Sequence, residues 1–291
     1  MEIGTTFPQL EIGADPATLA AYGKRIEAAG YEHTLLYDHV LGVDPSWDDW
    51  DGPYTNADRF HEPLTTLSYL AGQTETLNFV TGILILPQRQ TALVAKQAAQ
   101  VDVLSAGRLR LGVGVGWNPY EYIGLGQDFG ERGRRIEKQL DVLRRLWTHD
   151  VVEFDGEFHE LREVGINPRP VQEPIPLWMG GRADPVKRRI GRTADGWIPL
   201  LQPGEELENH LADIRDAATD AGRDPDEIGV HGWVAAVPGE TDDLIDRVRD
   251  WADLGADYLA INTMDVGLET PEAHIDHSEH VADALGDAGL L

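Results

Sequence analysis

The chain has 291 residues, and its 42% hydrophobic content is that of a globular protein with a substantial core. It contains no cysteine, which excludes disulfides, thiolate metal sites and cysteine nucleophiles. Its 51 acidic residues outnumber 24 basic ones, and a net charge of −27 repels nucleic acid and anionic membranes, so we expect neither as a partner. The sequence has no apolar run of roughly 18 residues and no signal-peptide pattern at its start, which predicts a cytoplasmic protein.

Lysine is rare in this acidic chain, with only four residues. One interpretation of the acidity is a docking face for a partner. The other is a solvated surface that keeps the protein soluble in concentrated salt, where charge repulsion is screened. The scarcity of lysine favours the second interpretation, and we expect a halophilic source.

Strand and helix patterns alternate almost throughout the chain, and Asp15 with Pro16 forms the start signal of the first helix. The predicted strands cover residues 2–7, 33–37, 77–86, 108–115, 176–179, 196–200, 228–237 and 258–262. The main helices are predicted over 16–29, 63–74, 91–104, 132–147, 183–193, 204–221, 240–254 and 271–288. Eight such units predict a (β/α)8 barrel.

A dinucleotide-binding doubly wound sheet is the alternative, because Gly112, Gly114 and Gly116 are regularly spaced. These glycines come from the fourth strand, however, and no acidic residue follows on the next strand, which argues against that fold.

Residues 150–174 interrupt the alternation with a hairpin pattern at Asp155-Gly156 and a proline-punctuated loop. We expect one domain over 1–291, with 150–174 as an insertion beside the barrel mouth.

Active sites of such barrels lie at the carboxyl ends of the strands, which selects Asp38 and His39 after the second strand. Histidine is a natural proton donor or acceptor near neutral pH. Neighbouring residues on an extended segment point in opposite directions, so the two side chains need not touch. Glu121 is the nearest carboxylate after the fourth strand, and an ordinary solvated glutamate is the equal alternative there.

The segment Gly180-Gly181-Arg182 precedes a helix and suits an anion. Glycines allow backbone N–H groups to approach a phosphate, and the helix N-terminus and Arg182 add positive charge. Arg89 and the run 187–189 supply further cations.

The histidines at 274, 277 and 280 lie on the acidic last helix, which we expect to be far from the mouth, so no catalytic metal is predicted.

Several stretches resemble the luciferase-like monooxygenase superfamily, in particular its deazaflavin-dependent oxidoreductase branch. They are Tyr37-Asp38-His39, TGILILPQRQTALVAKQAAQVDVLSAGRLRLGVGVGW from residue 81, INPRPVQEPIPLWMGG from residue 166, and ADGWIPL from residue 194. The resemblance implies a (β/α)8 barrel, often dimeric, that binds coenzyme F-420 or FMN in its mouth.

The same resemblance implies particular positions in the site. A bulge with a non-prolyl cis peptide, matching Gly82–Ile83, backs the ring, and Asp38 and His39 contact its reactive side. The phosphate side matches Gly180–Arg182, and we also expect Gly116 and Trp117 to contact the cofactor. Some deazaflavin dehydrogenases have a proton-donating glutamate where this chain has Trp117, with Glu121 four residues later, which leaves the acid–base partner of His39 open.

Our leading hypothesis is hydride transfer between a small organic substrate and coenzyme F-420, with His39 handling the accompanying proton and Asp38 positioning the cofactor or the histidine. The alternatives are an FMN-dependent monooxygenase that receives reduced flavin from a reductase, and a non-catalytic flavin-binding protein. Phe7, Trp47, Trp50, Trp117 and the 150–174 insertion are expected to line the substrate pocket. A homodimer is expected from the resemblance.

Overall fold

The computed structural model describes residues 1–47 and 50–291, so Asp48 and Asp49 of the loop after the second predicted strand lie outside the described residues. In chain order the strands are β1 (Glu2–Thr6), β2 (His33–Leu36), β3 (Asn78–Thr81), β4 (Leu84–Ile85), β5 (Leu109–Gly114), β6 (Val152–Asp155), β7 (Glu160–Val164), β8 (Leu177–Gly180), β9 (Gly196–Ile198), β10 (Gly229–Ala235) and β11 (Tyr258–Asn262). All except β6 and β7 form one parallel sheet, and the pairing of β3 with β5 closes it into a barrel. The predicted (β/α)8 barrel is therefore confirmed.

Helices cover the outside of the barrel. They are α1 (Pro16–Ala28), α2 (Pro63–Ala71), α3 (Thr91–Leu104), α4 (Pro119–Gly124), α5 (Arg132–Thr148), α6 (Asp184–Thr193), α7 (Glu205–Asp220), α8 (Thr241–Leu254) and α9 (Pro271–Asp287). The predicted start of α1 is confirmed, since the Asp15 carboxylate accepts a hydrogen bond from the Thr18 amide at 3.1 Å. In the part of the chain that the structure describes, no helix is long and apolar enough to cross a membrane.

Two elements differ from the sequence-based expectation. The third strand was expected to be continuous over 77–86, but it consists of β3 and β4 with Gly82 and Ile83 between them, and a short 3₁₀ turn follows. The run is nearly continuously apolar in sequence, so its periodicity gives no sign of the interruption. Helix α4 was not predicted, although Asn118 and Pro119 are a helix start signal, and the Asn118 side chain caps it.

Inside the barrel, large side chains fill space that glycines leave open. A Cβ atom at Gly196 or Gly229 would lie 2.5 Å from the ring of Trp178, and one at Gly114 would lie 2.5 Å from Ile83. Close packing of this kind fixes which strand positions are glycine. A second, larger apolar core lies between the sheet and the helices.

A polar layer lies at the barrel floor. The fully buried rings of His33 and His231 have their Nε2 atoms 3.0 Å apart, and the guanidinium of Arg110 lies 3.4 Å from the centre of the Tyr258 ring. Burial lowers the pKa of both histidines well below the usual value, and the charge of Arg110 adds to this effect. Both rings are therefore neutral at pH 7.

Residues 150–174 contain the predicted hairpin. Strands β6 and β7 pair antiparallel, and the turn between them spans residues 156–159. Nε2 of His159 lies 2.6 Å from Oγ1 of Thr91 at the start of α3. The hairpin is thereby held beside the helix that follows β4.

Candidate active site

A cavity of about 350 Å³ opens at the carboxyl ends of the strands. Its wall combines the backbone of five glycines with the hydrocarbon side chains of Ile83, Ile85, Ile198 and Leu200, and with four polar side chains. The glycines are Gly82, Gly114, Gly180 and Gly181, joined by Gly116, and the polar side chains are Tyr37, Asp38, His39 and Tyr54, with Trp117 beside them. An apolar pocket with a few convergent polar groups is typical of a cofactor or substrate site.

His39 is held against this cavity by Glu121. Nδ1 of His39 lies 3.2 Å from Oε2 of Glu121, whose other oxygen accepts the amide protons of Val40 at 2.7 Å and Leu41 at 3.2 Å. Glu121 is fully buried in the first turn of α4, so the alternative of a solvated glutamate is wrong. Asn118 caps that turn and thereby aims Glu121 at the chain leaving β2.

The electrostatics keep Glu121 ionised. Burial alone raises its pKa, but the hydrogen bond from His39 and the two backbone amides outweigh burial and hold the pKa below the usual value. A carboxylate at Nδ1 accepts a hydrogen bond from that nitrogen, so the neutral form of His39 carries its proton on Nδ1 and leaves Nε2 as an acceptor. Within the described residues, Nε2 has no hydrogen-bond partner.

Asp38 points away from His39 and joins a different network. Its carboxylate accepts hydrogen bonds from the Ile85 amide at 2.8 Å and from Arg89 at 2.7 Å, and Arg89 also contacts Glu62 at 3.0 Å. Burial raises the pKa of Asp38, and Arg89 opposes that rise. Asp38 thus anchors β4 to the end of β2, and its side chain makes no hydrogen bond to His39.

The peptide bond between Gly82 and Ile83 is cis, as the resemblance implied. The amide of Gly82 donates to the carbonyl of Leu36 at 2.6 Å, which ties the interruption to β2. Ile83 then projects across Gly114 and Gly180, where an added Cβ would approach it within 2.5 and 3.0 Å. Ile83 therefore forms the back wall of the cavity.

The glycines expected at the phosphate side lie on the cavity wall, but the cations around them are arranged differently. Gly180 and Gly181 line the cavity, Gly181 has φ +117°, and α6 begins without a side-chain cap. Arg182 is exposed, does not line the cavity, and lies 3.8 Å from Glu206.

The other expected cations are bound elsewhere. Arg89 pairs with Asp38 and Glu62, Lys187 with Asp184 and Asp213, and Arg189 with Glu137. Acidic neighbours therefore engage Arg89, Lys187 and Arg189, whereas Arg188 is exposed. A role for these cations beside a phosphate stays a prediction.

The aromatic side chains expected around the substrate are only partly at the cavity. Trp117 lines it, with its ring centre 5.7 Å from that of His39. Phe7 is instead fully buried and packs edge-on against Tyr22 at 4.9 Å. Trp47 and Trp50 contact Tyr120 outside the cavity, and no described residue of 150–174 lines it. Tyr54, which sequence reasoning missed, lines the cavity beside His39.

Among the described residues, no group of histidines and carboxylates is arranged to hold a metal ion. His274 was expected to lie far from the mouth, but its Nδ1 lies 3.0 Å from Oγ1 of Thr263, directly after β11. His277 contacts the carbonyl of Ala236 at 2.9 Å. Both side chains therefore tie α9 to strand ends.

Comparison with known proteins identifies the family to which this barrel belongs. Residues 3–286 match the family model of the luciferase-like monooxygenases. An uncharacterized protein of Mycobacterium tuberculosis is 35% identical over 236 residues, which cover 78% of this chain and 79% of the relative. The F-420-dependent glucose-6-phosphate dehydrogenase of Mycolicibacterium fortuitum is 30% identical, over 89% of this chain and 76% of the relative.

Two further matches complete the comparison. The FMNH2-dependent dimethylsulfone monooxygenase of Pseudomonas putida is 32% identical over 184 residues, 62% of this chain and 50% of the relative. A solved F-420-dependent secondary alcohol dehydrogenase, in complex with an F-420–acetone adduct, superposes with a TM-score of 0.78 at 17% identity, over 98% of both chains. The chain belongs to the luciferase-like monooxygenase family and is an enzyme of that family.

Proposed function

We propose that this protein is an oxidoreductase that moves a hydride between a small organic substrate and coenzyme F-420. The observation that carries the proposal is the His39–Glu121 pair at the wall of an apolar cavity backed by Ile83. Similarity to the F-420-dependent glucose-6-phosphate dehydrogenase over 89% of this chain supports the choice of cofactor.

The cavity fits a flat ring system. Gly114 and Gly180 leave Ile83 free to press against one face of a ring, and Ile198 and Leu200 add apolar surface. Gly181 and Arg182, just before α6, offer backbone N–H groups to a phosphate at the rim. The first turn of α6 does not add to them, because Pro185 has no N–H and the amides of Val186 and Lys187 donate to the carbonyl of Ala183. When bound, the deazaflavin supplies a ring carbon that accepts or donates the hydride.

His39 is the residue that moves the proton. With Nδ1–H bonded to Glu121, the free Nε2 takes a proton from a substrate hydroxyl or amine as hydride leaves the neighbouring carbon. The buried carboxylate of Glu121 stabilises the imidazolium that forms, and Asp38 holds β4 in register behind the ring. This division of roles needs no carboxylate at position 117, where the chain has tryptophan.

An FMN-dependent monooxygenase is the second candidate, favoured by the 32% identity with the FMNH2-dependent monooxygenase of Pseudomonas putida. The same glycine-lined wall and Ile83 serve either ring, but this reaction needs molecular oxygen and reduced flavin from a reductase. Oxygen consumption therefore separates the two candidates.

The test is a fluorescence titration of the purified protein with oxidised and reduced F-420 and with FMN, followed by oxygen-electrode measurements with reduced FMN. We expect saturable F-420 binding and no protein-dependent oxygen uptake. Tight FMN binding with oxygen uptake, and no F-420 binding, would replace the first candidate by the second.

A pair of histidine variants tests the role of His39. We expect His39→Ala to keep F-420 binding and to lower turnover by about 10²- to 10⁴-fold, the usual contribution of general acid–base catalysis. His61→Ala is the matched control, because Nε2 of His61 contacts only the carbonyl of Gly13 within the described chain and lies outside the cavity. Unchanged turnover in His39→Ala would remove His39 from the mechanism.

A further inference from the structure

A second chamber of about 330 Å³ adjoins the cofactor cavity under the loop that follows β2. His39, Tyr54 and Trp117 line both spaces, so these three side chains form the partition between them. When one end of a substrate occupies this chamber, the adjacent atoms of that substrate lie beside His39. The proposed reaction takes place there.

Aromatic rings enclose one end of the chamber. The ring centre of His39 lies 5.2 Å from that of Tyr54, 4.6 Å from Phe60 and 5.7 Å from Trp117, and Tyr54 lies 4.9 Å from Phe60. The faces of such rings carry partial negative charge and attract cations. Tyr54, Phe60 and Trp117 thus pack around the His39 ring, and all three also line the chamber. Several aromatic side chains on the wall of one cavity are typical of sites that recognise alkylammonium groups.

The charged and polar side chains around the chamber also favour a cation. Asp58 lines it, and only one of its carboxylate oxygens is engaged, by the Thr55 amide at 2.6 Å and hydroxyl at 3.0 Å. Asn118 lines it with its carbonyl oxygen committed to the cap of α4. No lysine or arginine is found among the described residues that line either space.

We propose that this chamber binds an alkylammonium group of the substrate, with Tyr54, Phe60 and Trp117 as the cage and Asp58 as the counter-ion. The net charge of −27 strengthens the preference, because it concentrates cations around the protein and repels anions. The assignment of this site to the substrate rests on the oxidoreductase function proposed above, whereas cation binding itself does not.

The test compares choline with its neutral isostere dimethylbutanol, in which carbon replaces nitrogen, by titrating the tryptophan fluorescence of the full chain. Ionic strength and chloride are held constant with KCl, so that bulk screening is the same in both titrations. We expect choline to bind at least about fivefold more tightly than the isostere, since a cation–π cage distinguishes the two only by charge. Equal affinities would overturn the proposal.

Two matched variants, one in the chamber and one outside it, test whether the preference for choline arises at Asp58. Asp58→Asn removes the charge and keeps an oxygen for the Thr55 amide, and we expect the preference for choline to fall at least about twofold, as for loss of an exposed ion pair. Asp44→Asn is the control, because Asp44 is an exposed aspartate of the same loop that accepts the Ser46 amide at 2.8 Å without lining the chamber. If both variants shift the preference equally, only general charge is acting and the proposed site is wrong.

The outcomes for the two proposals are separable. Preferential choline binding without F-420 or FMN binding leaves the cation site standing and removes the oxidoreductase function. Cofactor binding and turnover without any preference for choline keep the oxidoreductase and remove the cation site.

Discussion

The buried carboxylate of Glu121 lies 3.2 Å from Nδ1 of His39, although 82 residues separate the two in the chain. Because Glu121 also accepts two amide protons from the segment after His39, it fixes both the backbone and the ring of that segment. A histidine constrained in this way presents one defined nitrogen to the cavity. Glu121 is thus a positioning residue for His39.

Replacing Glu121 by glutamine should move the ring proton of neutral His39 from Nδ1 to Nε2. The glutamine oxygen can still accept from Val40 and Leu41, which leaves its amide group as a donor toward Nδ1 and moves the histidine proton to Nε2. We expect turnover to fall by about 10²-fold or more with F-420 affinity nearly unchanged. Nitrogen NMR of the histidine ring checks the tautomer directly.

Glu27→Gln is the control for this change. Glu27 also uses its carboxylate to bind backbone amides, those of Glu75, Thr76 and Leu77, but it lies away from the cavity. Its replacement should alter stability without altering turnover. Equal losses of turnover in both variants would show that a general loosening of the fold, and not the tautomer of His39, explains the effect.

The sequence identified the individual site residues, but it gave no information on which residues they contact. The strand-end rule selects Asp38, His39 and Glu121 because it depends only on element order. The His39–Glu121 contact depends on α4, a six-residue helix too short for a periodicity signal, and only its Asn118-Pro119 start pattern was available. In the same way, the pairing of Arg89 with Asp38 joins the ends of two different strands. The sequence gives no sign of that contact, and Arg89 was therefore expected at a phosphate instead.

Asp38→Asn should destabilise the protein. The change leaves one side of the largely buried Arg89 guanidinium without a carboxylate, and breaking a buried pair typically costs about 3–5 kcal/mol. Glu62 still contacts Arg89, so we expect a loss near the lower end, about 3 kcal/mol, in the free energy of unfolding measured with urea. F-420 affinity should also fall, because the Ile85 amide loses a charged acceptor.

Asp141→Asn provides the comparison, since it breaks the exposed pair between Asp141 and Arg145 on α5. Such pairs contribute about 0–1 kcal/mol. A similar small loss for Asp38→Asn would mean that Arg89 does not depend on Asp38, and the anchoring role of Asp38 would have to be abandoned.

Gly114→Ala should close the back of the cofactor cavity. The new methyl group would lie 2.5 Å from Cδ1 of Ile83 and would push that side chain toward the space proposed for the ring. We expect F-420 affinity to fall by about tenfold or more, with a loss of about 1–3 kcal/mol in stability from overpacking. Gly286→Ala, on α9 with no atom near the added methyl, should be neutral or slightly stabilising.

The fold was more predictable than the barrel interior. Alternating strand and helix patterns specify a parallel sheet covered by helices, and that order is sufficient for the (β/α)8 barrel. The interlocking of Trp178 with Gly196 and Gly229, or of Ile83 with Gly114, joins residues from different strands. Sequence periodicity describes one strand at a time, so it gives no information on these pairs.

Stability should rise with KCl concentration. At low salt the net charge of −27 destabilises the compact state through self-repulsion, and the screening length falls from about 10 Å at 0.1 M to about 3 Å at 1 M. Urea unfolding at increasing KCl measures the effect. Constant stability from low to high salt would contradict the halophilic interpretation of the acidic surface.

The buried pair of His33 and His231 should make the protein sensitive to mild acid. Both folded-state pKa values lie well below about 6.5, the value expected in the unfolded chain, so the unfolded state binds more protons below that pH. The free energy of unfolding should therefore be constant above pH 7 and decrease as pH falls below 6.5, by up to about 1.4 kcal/mol per pH unit for each histidine.

Urea unfolding between pH 5 and 8 measures this slope, and His231→Gln isolates one of its sources. Glutamine does not titrate and can still donate a hydrogen bond to Nε2 of His33, so the slope below pH 6.5 should decrease by up to about 1.4 kcal/mol per pH unit. His280→Gln, an exposed position on α9, should leave it unchanged. An unchanged slope in His231→Gln would mean that the His33–His231 pair is not the source of the acid sensitivity. His159 and His274, whose pKa values burial also lowers, would then be the next histidines to replace.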